Sequence, residues 1–387
     1  MQTLSASVRS PPGRHRVATW LAVAALTTLA ACTSTPPPRP PGPPAQPPQA
    51  GSLTREHSRW VPVAWQELPG WNADTPQAAW PALLKSCQRP PPVWSTLCAD
   101  VQQAPPRDDA ELRERLMHYL RPYRVESLEG STAGLITGYY EPIFDARREP
   151  GGPYRTALYA PPTDLATRRP YWTREQLQTL PQAQDSLRGR EIAYVASPLD
   201  ALVLQIQGSG RLRITEPDGR VREVRLAYAG HNDHPYRSIG GWLIDQGELQ
   251  AGQASWPAIR DWAQRNLARI SELIWANPRY VFFREEPLPD PEVGPRGAQG
   301  VPLTPGRSIA VDPKSVPYGT PVWIDTTAPL SNSPLRRLVL AQDTGSAIVG
   351  AVRADYFWGW DGDAAEQAGR MRQPLRMWVL WPRADAN

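Results

Sequence analysis

Gln342-Asp343-Thr344-Gly345-Ser346-Ala347-Ile348 and Arg353-Ala354-Asp355-Tyr356-Phe357-Trp358-Gly359 are the stretches whose reading decides the fold. Each places an aspartate against a short apolar or aromatic run and next to a glycine turn. Similar runs flank them: Ser308 to Val311, Pro321 to Ile324, Leu338 to Ala341, Val352 to Phe357 and Met377 to Trp381. Turn residues separate the runs. Short strands at this spacing predict a small closed barrel.

Working upstream, Gly134-Leu135-Ile136-Thr137-Gly138-Tyr139-Tyr140 reads as a strand that ends at Pro142. Val203 to Ile214 alternates like a strand pair around Gly208-Ser209-Gly210. Two helices are expected. One runs from Arg107 to Tyr123, with Leu112, Leu116, Tyr119 and Leu120 on one face and Asp108 or Asp109 as cap. The other runs from Ser255 to about Ala276, with Ser255 as cap, Pro257 in the first turn, and Ile259, Trp262, Ile270 and Ile274 on one face.

The C-terminal stretches, with Ile309-Ala310-Val311-Asp312-Pro313-Lys314 and Val316-Pro317-Tyr318-Gly319-Thr320, resemble the three-aspartate domain, a double-psi β-barrel. Thr137-Gly138-Tyr139-Tyr140-Glu141-Pro142, Gln205-Ile206-Gln207-Gly208-Ser209-Gly210 and Tyr236-Arg237-Ser238-Ile239-Gly240 extend the likeness upstream. Together, over about residues 130–382, they resemble the membrane-bound lytic murein transglycosylase A family. Gly345-Ser346 departs from the double glycine of that pattern. The resemblance implies a mainly β fold: a double-psi barrel, a second β-rich domain inserted into it, a groove between them and a few helices. The expected divisions are 51–143 for N-terminal helices and the first part of the barrel, 144–287 for the insert, and 288–387 for the rest of the barrel.

The implied reaction cuts the β-1,4 glycosidic bond of peptidoglycan glycan strands. Ordinary glycosidases use two carboxylates. A lytic transglycosylase needs one, because the C6 hydroxyl of the same N-acetylmuramic acid attacks and a 1,6-anhydro sugar results. The family's acid falls at Asp355, and the adjacent rings of Tyr356, Phe357, Trp358 and Trp360 would raise its pKa by desolvation. Asp343 is a supporting candidate or plain turn chemistry, and Asp312 reads more readily as the latter. Thr137, Gly138, Tyr139 and Tyr140 offer backbone and rings to sugars. Gln205, Gln207 and Ser209 offer polar groups, and Gly208 and Gly210 allow close approach; strand packing is the alternative for each. Tyr228, Tyr236 and Arg237 would shape the other groove wall. No metal, nucleotide or redox cofactor enters this chemistry. His231, Asn232, Asp233 and His234 are adjacent loop residues and poor metal ligands.

The first residues read as an export signal. Arg9, Arg14 and Arg16 precede an apolar run, Val17 to Ala30, too short to span a membrane comfortably. Leu29-Ala30-Ala31-Cys32 resembles the lipobox of bacterial lipoproteins, so residues 1–31 would be removed and Cys32 lipidated. Thr33, rather than Asp, after the cysteine points to the outer membrane and its periplasmic face. Pro36 to Ala50 holds nine prolines in fifteen residues, an extended tether of roughly 45 Å at about 3.1 Å per residue. The net charge of +4 falls to +1 (4 − 3) without the three signal arginines. No basic stripe with interleaved aromatics remains, so nucleic acid is not an expected partner. Glycan strands and the membrane are, and other cell-wall enzymes are further candidates. Cys87 and Cys98 read as a disulfide in an exported chain. The 16 tryptophans are either extra core or a ligand-gripping surface. Two rival functions stay open: a hydrolase using Asp343 and Asp355 as a pair, and a non-catalytic peptidoglycan-binding lipoprotein.

Overall fold

The computed structural model describes residues 50–360 and 362–383. The export signal, Cys32 and nearly all of the proline run lie outside the described residues. Six strands form the centre: β1 (Gly134–Tyr139), β2 (Ser308–Val311), β3 (Pro321–Thr327), β4 (Pro334–Asp343), β5 (Arg353–Phe357) and β6 (Arg372–Pro382). Hydrogen bonding runs β6-β3-β4-β2-β5-β1, and β1 also pairs with β6. The ring is therefore closed, and the fold is the expected double-psi barrel. Strands at 120–126, 59–62 and 53–54 extend the sheet from β6.

Two-residue periodicity explains which side chains fill the ring. Ile136, Ile309, Val311, Val339, Ala341, Ala354 and Tyr356 pack in one core with Val322, Ile324, Leu375, Met377 and Val379. Residues of the opposite parity, Trp323, Leu338, Leu340, Trp378 and Leu380, meet Leu83, Leu97, Leu112 and Leu116 of the N-terminal helices. A disulfide joins Cys87 to Cys98, with Cα atoms 5.1 Å apart. Trp60, Trp71, Trp94, Trp262, Trp323 and Trp378 are all buried, so much of the tryptophan content is core.

Between β1 and β2 the chain builds a second, six-stranded sheet from Ile143–Arg147, Thr156–Tyr159, Glu191–Val195, Gly210–Thr215, Val221–His231 and Val281–Pro287. Ala146, Leu158, Val195, Leu212, Ile214, Leu226 and Phe283 form its core.

Three local expectations change. Pro198–Gln207 is an α-helix, not a strand. Ser197 caps it by accepting from the Leu199 amide, Pro198 opens it, and Gly208 ends it at φ +81°. Leu199, Leu202, Val203 and Leu204 are all buried, so neighbours on both sides override the alternation. The helix expected to Tyr123 ends at Tyr119, and Leu120–Glu126 is a strand; Pro122 lacks the N–H a helix needs and disfavours helical geometry before it. The helix from Trp256 breaks after Arg265, where Asn266 adopts φ −128° and ψ 49°, and a second helix runs Ile270–Trp275.

The two connections between barrel and insert are locked together by charge. The Glu141 amide donates to the Gly359 carbonyl at 2.8 Å. Its carboxylate is fully buried and accepts from Arg211 Nε at 2.8 Å and Arg225 Nε at 2.6 Å. Arg211 donates onward to the Pro291 carbonyl at 2.7 Å, and Arg225 to that of Val293. One carboxylate thus fastens the outgoing chain, the insert sheet and the returning chain.

Candidate active site

Strand register assembles the site. Asp355 on β5 pairs with Ala310 on β2 and with Thr137 on β1, and Ala310 also pairs with Asp343 on β4. Asp343, Ala310, Asp355 and Thr137 therefore cross four neighbouring strands in sequence. Ala310, small and buried, separates the two acids. The same parallel register sets Phe357 beside Tyr139, with ring centroids 5.2 Å apart.

Asp355 Oδ1 accepts from the Thr137 hydroxyl at 2.6 Å, and Thr137 Oγ1 accepts from Arg353 Nη2 at 2.9 Å. Because arginine can only donate, the threonine proton is turned toward the aspartate. No hydrogen bond from the described residues reaches Asp355 Oδ2. Burial raises this carboxyl to about 6; Thr137 and the Arg353 guanidinium pull it down, and the Asp343 charge pushes it up.

Asp343 is held on both oxygens. Oδ2 accepts from the Tyr139 hydroxyl at 3.0 Å, and Oδ1 from the Ala298 amide at 2.9 Å. Burial raises it to about 6 as well, against the Thr344 and Ala298 amides and the Tyr139 hydroxyl. Burial, followed by the two aspartate charges, raises the Tyr139 hydroxyl well above its usual range.

The rings divide differently from the expectation. Tyr356 lies in the barrel core, with Trp358 packed against that core. The Tyr356 hydroxyl donates to Gly306 O at 2.7 Å, and Trp358 Nε1 to Met371 Sδ at 3.3 Å. Alternation along β5 turns Asp355 and Phe357 to the other face, so Phe357 and its partner Tyr139 are the rings on the aspartate's side. Gly138 permits close packing: a Cβ there would lie 2.8 Å from both Ala368 Cα and Trp358 Nε1.

The other sequence candidates have mixed placements. Gln207 Oε1 accepts from the Tyr140 amide at 3.0 Å, which fixes the entry to the insert. Gly208 is the left-handed helix end, and Ser209 follows it half-buried. Gly210 has no room for a side chain, since a Cβ would sit 2.1 Å from Leu204 Cδ2 and 3.1 Å from the Pro142 carbonyl. Gln205 is buried and lines a cavity inside the insert lobe. Tyr228 is 45% exposed, on the part of its strand that runs beyond Gly210. Tyr236 and exposed Arg237 follow that strand, and the Arg237 amide donates to Asn277 Oδ1 at 3.2 Å. Asp312 is a loop anchor: it accepts from the Lys314 and Gly350 amides and lies 2.7 Å from His57 Nδ1. Burial alone would raise its pKa, but those partners lower it. In the His231–His234 loop, fully buried Asn232 donates to the Trp172 and Pro278 carbonyls, both at 2.9 Å. Among the described residues no cluster of three or more His, Cys, Asp or Glu is arranged to hold a metal.

Sequence reasoning missed the Ala298 amide and Arg353. The first is a backbone group carrying no residue signature; the second stood in the quoted motif two residues before the acid.

Fold and site together define a double-psi β-barrel protein with a β-rich insert and a part-buried aspartate of raised pKa on the barrel wall. The sequence families that match are the MltA specific insert domain, over residues 135–284, and the 3D domain, over residues 307–381. The lytic transglycosylase LtgG of Burkholderia pseudomallei is 47% identical, with 84% of this chain and 96% of that one covered and a TM-score of 0.59. MltA of Escherichia coli with bound chitohexaose is 26% identical over 87% of this chain and 95% of that one, with a TM-score of 0.62. Membrane-bound lytic murein transglycosylase A of Escherichia coli K12 is 32% identical over 256 residues, 63% of this chain and 65% of the relative, so the match spans just under two thirds of that protein. This chain belongs to the membrane-bound lytic murein transglycosylase A family.

Proposed function

We propose that this chain cleaves the β-1,4 bond between N-acetylmuramic acid and N-acetylglucosamine in peptidoglycan, leaving a 1,6-anhydro-N-acetylmuramic acid end. The observation that carries this reading is the unequal state of the two acids. Asp343 has both oxygens engaged by protein donors, whereas Asp355 keeps Oδ2 unclaimed by the described residues. A pKa of about 6 leaves a fraction of Asp355 protonated near neutral pH. Oδ2 gives its proton to the leaving N-acetylglucosamine oxygen as the bond breaks. The resulting carboxylate then takes the proton of the C6 hydroxyl as that oxygen closes on C1. The carboxyl ends the cycle as it began, and no second base is required. Asp343 holds Tyr139 in place and, by like charge, helps keep Asp355 protonated.

Glycan strands would lie in the groove between barrel and insert, against Tyr139 and Tyr140. The division into 51–143, 144–287 and 288–387 is supported by the second sheet, which spans Ile143 to Pro287. Cys32, as a lipid-bearing N-terminus, would hold the protein on the periplasmic face of the outer membrane, with other cell-wall enzymes as candidate partners. Among the described residues no helix is long and apolar enough to cross a membrane. Cys32→Ala should move the protein to the soluble fraction with its cleavage rate intact; retention in the outer membrane would rule out Cys32 as the anchor.

The functional test is Asp355→Asn on purified glycan strands with mass spectrometry of the products. Wild type should yield muropeptides one water lighter than hydrolytic ones, and the variant should be slower by about 10²–10⁴-fold. Products ending in reducing muramic acid would mean a two-carboxylate hydrolase. Sacculus binding without cleavage would mean a binding protein.

A further inference from the structure

The insert lobe contains a cavity of about 450 Å³, with none of its walls contributed by the barrel. That volume lies in the range of about 300–1,000 Å³ usual for small-ligand sites. Arg174 and Gln205 line it and are themselves only 2% and 5% exposed. Arg174 donates Nε to the Asn277 carbonyl at 2.9 Å and Nη2 to that of Arg279. It stacks on Tyr280 at 5.0 Å from the ring centroid. No carboxylate among the described residues is paired with it. A buried guanidinium remains charged near neutral pH and, lacking an acid, is a strong attractor for an anion.

The second observation is independent. Gln205 Oε1 is buried without any hydrogen-bond partner, although the side chain touches the Tyr280 hydroxyl. An orphaned amide oxygen of this kind is costly to bury unless a donor arrives. The cavity therefore presents a cation for a carboxylate and an acceptor for an N–H. Leu177 and Ile274 supply apolar wall for small side chains, and Tyr159 adds a hydroxyl. A carboxylate, an amide N–H and small apolar groups together are the chemistry of a short peptide acid.

We propose that this cavity binds the free carboxylate end of a short peptide of the type carried by peptidoglycan, either released or still attached to glycan. The site rests on the cavity alone; its assignment to stem peptides rests on the proposed function.

The test uses the full mature chain and isothermal titration with the free stem tetrapeptide and with its C-terminal amide. The acid should bind saturably and the amide at least about tenfold more weakly, as expected when a charged hydrogen-bond partner is lost. Ser271 is an exposed residue of the lining. Ser271→Trp should fill the opening and abolish peptide binding, while cleavage of stem-free glycan stays at the wild-type rate. Gln205→Glu should also weaken binding at least tenfold, by adding a carboxylate to the cavity that Arg174 lines. Wild type that ignores the tetrapeptide, or Ser271→Trp that binds it unchanged, overturns the proposal and leaves the glycan reaction standing. Peptide binding lost in Ser271→Trp, in a chain that cuts no glycan, supports the cavity and overturns the reaction. A comparison of stem-bearing with stem-free strands distinguishes attached from released peptide: an attached ligand makes wild type, and not Ser271→Trp, prefer the former.

Discussion

Replacing Asp355 should make the protein more stable, by an amount and over a pH window that the site itself sets. Asp355 sits at about 6 when folded, against an ordinary value of 3.8. Between those values the folded chain keeps a proton that the unfolded chain has released, so raising the pH favours unfolding. The folded state has its full advantage below about pH 4, loses it between about pH 4 and 6, and changes little above that. Two pKa units correspond to about 3 kcal/mol. Asparagine is neutral throughout, and its amide oxygen still accepts from Thr137. For a chain of this size the unfolding entropy is roughly 0.7 kcal/mol/K, so the gap is about 4 °C in Tm. Thermal melts of wild type and Asp355→Asn from pH 4 to pH 8 should therefore start together, part between pH 4 and 6, and stay apart. A constant gap, or a variant that melts below wild type at pH 8, would falsify the claim that burial raises the pKa of Asp355.

Glu141→Gln should lower stability by about 3–5 kcal/mol, because Arg211 and Arg225 would be left buried with no compensating charge; an unchanged urea midpoint would show that the junction does not depend on that carboxylate. Changing Cys87 and Cys98 together to serine should cost about 2–3 kcal/mol, given the short loop they close. Alkylation of either native thiol without reductant would contradict the pairing.

Much of the barrel was legible because its strands alternate cleanly. In β5, Ala354 and Tyr356 turn inward while Asp355 and Phe357 do not, and period two alone conveys that. The acid was legible through its motif. Pro198–Gln207 was misread because Val203 to Gln207 also alternates, and burial on several sides hid the helical period; Ser197-Pro198 was the overlooked start signal. Glu141 stood in a quoted motif before Pro142, and no structural role was read for it. Its partners lie 70 and 84 residues away, so only the folded chain brings them together. The hold on Asp343 was invisible for a different reason, since one of its donors is the main chain at Ala298.

The hydrogen bond from Thr137 to Asp355 joins residues 218 positions apart, with the whole insert between them. Bringing such distant segments together carries a loop-closure cost and is slow relative to local structure formation. A chain emerging from its N-terminus delivers Thr137 early and Asp355 almost last. Until β5 docks against β1, Asp355 lacks both the Thr137 hydrogen bond and the burial that raises its pKa. A chain that stops short of Asp355 has the whole insert but not the paired strands of the site, so the aspartate pocket is completed late by topology alone.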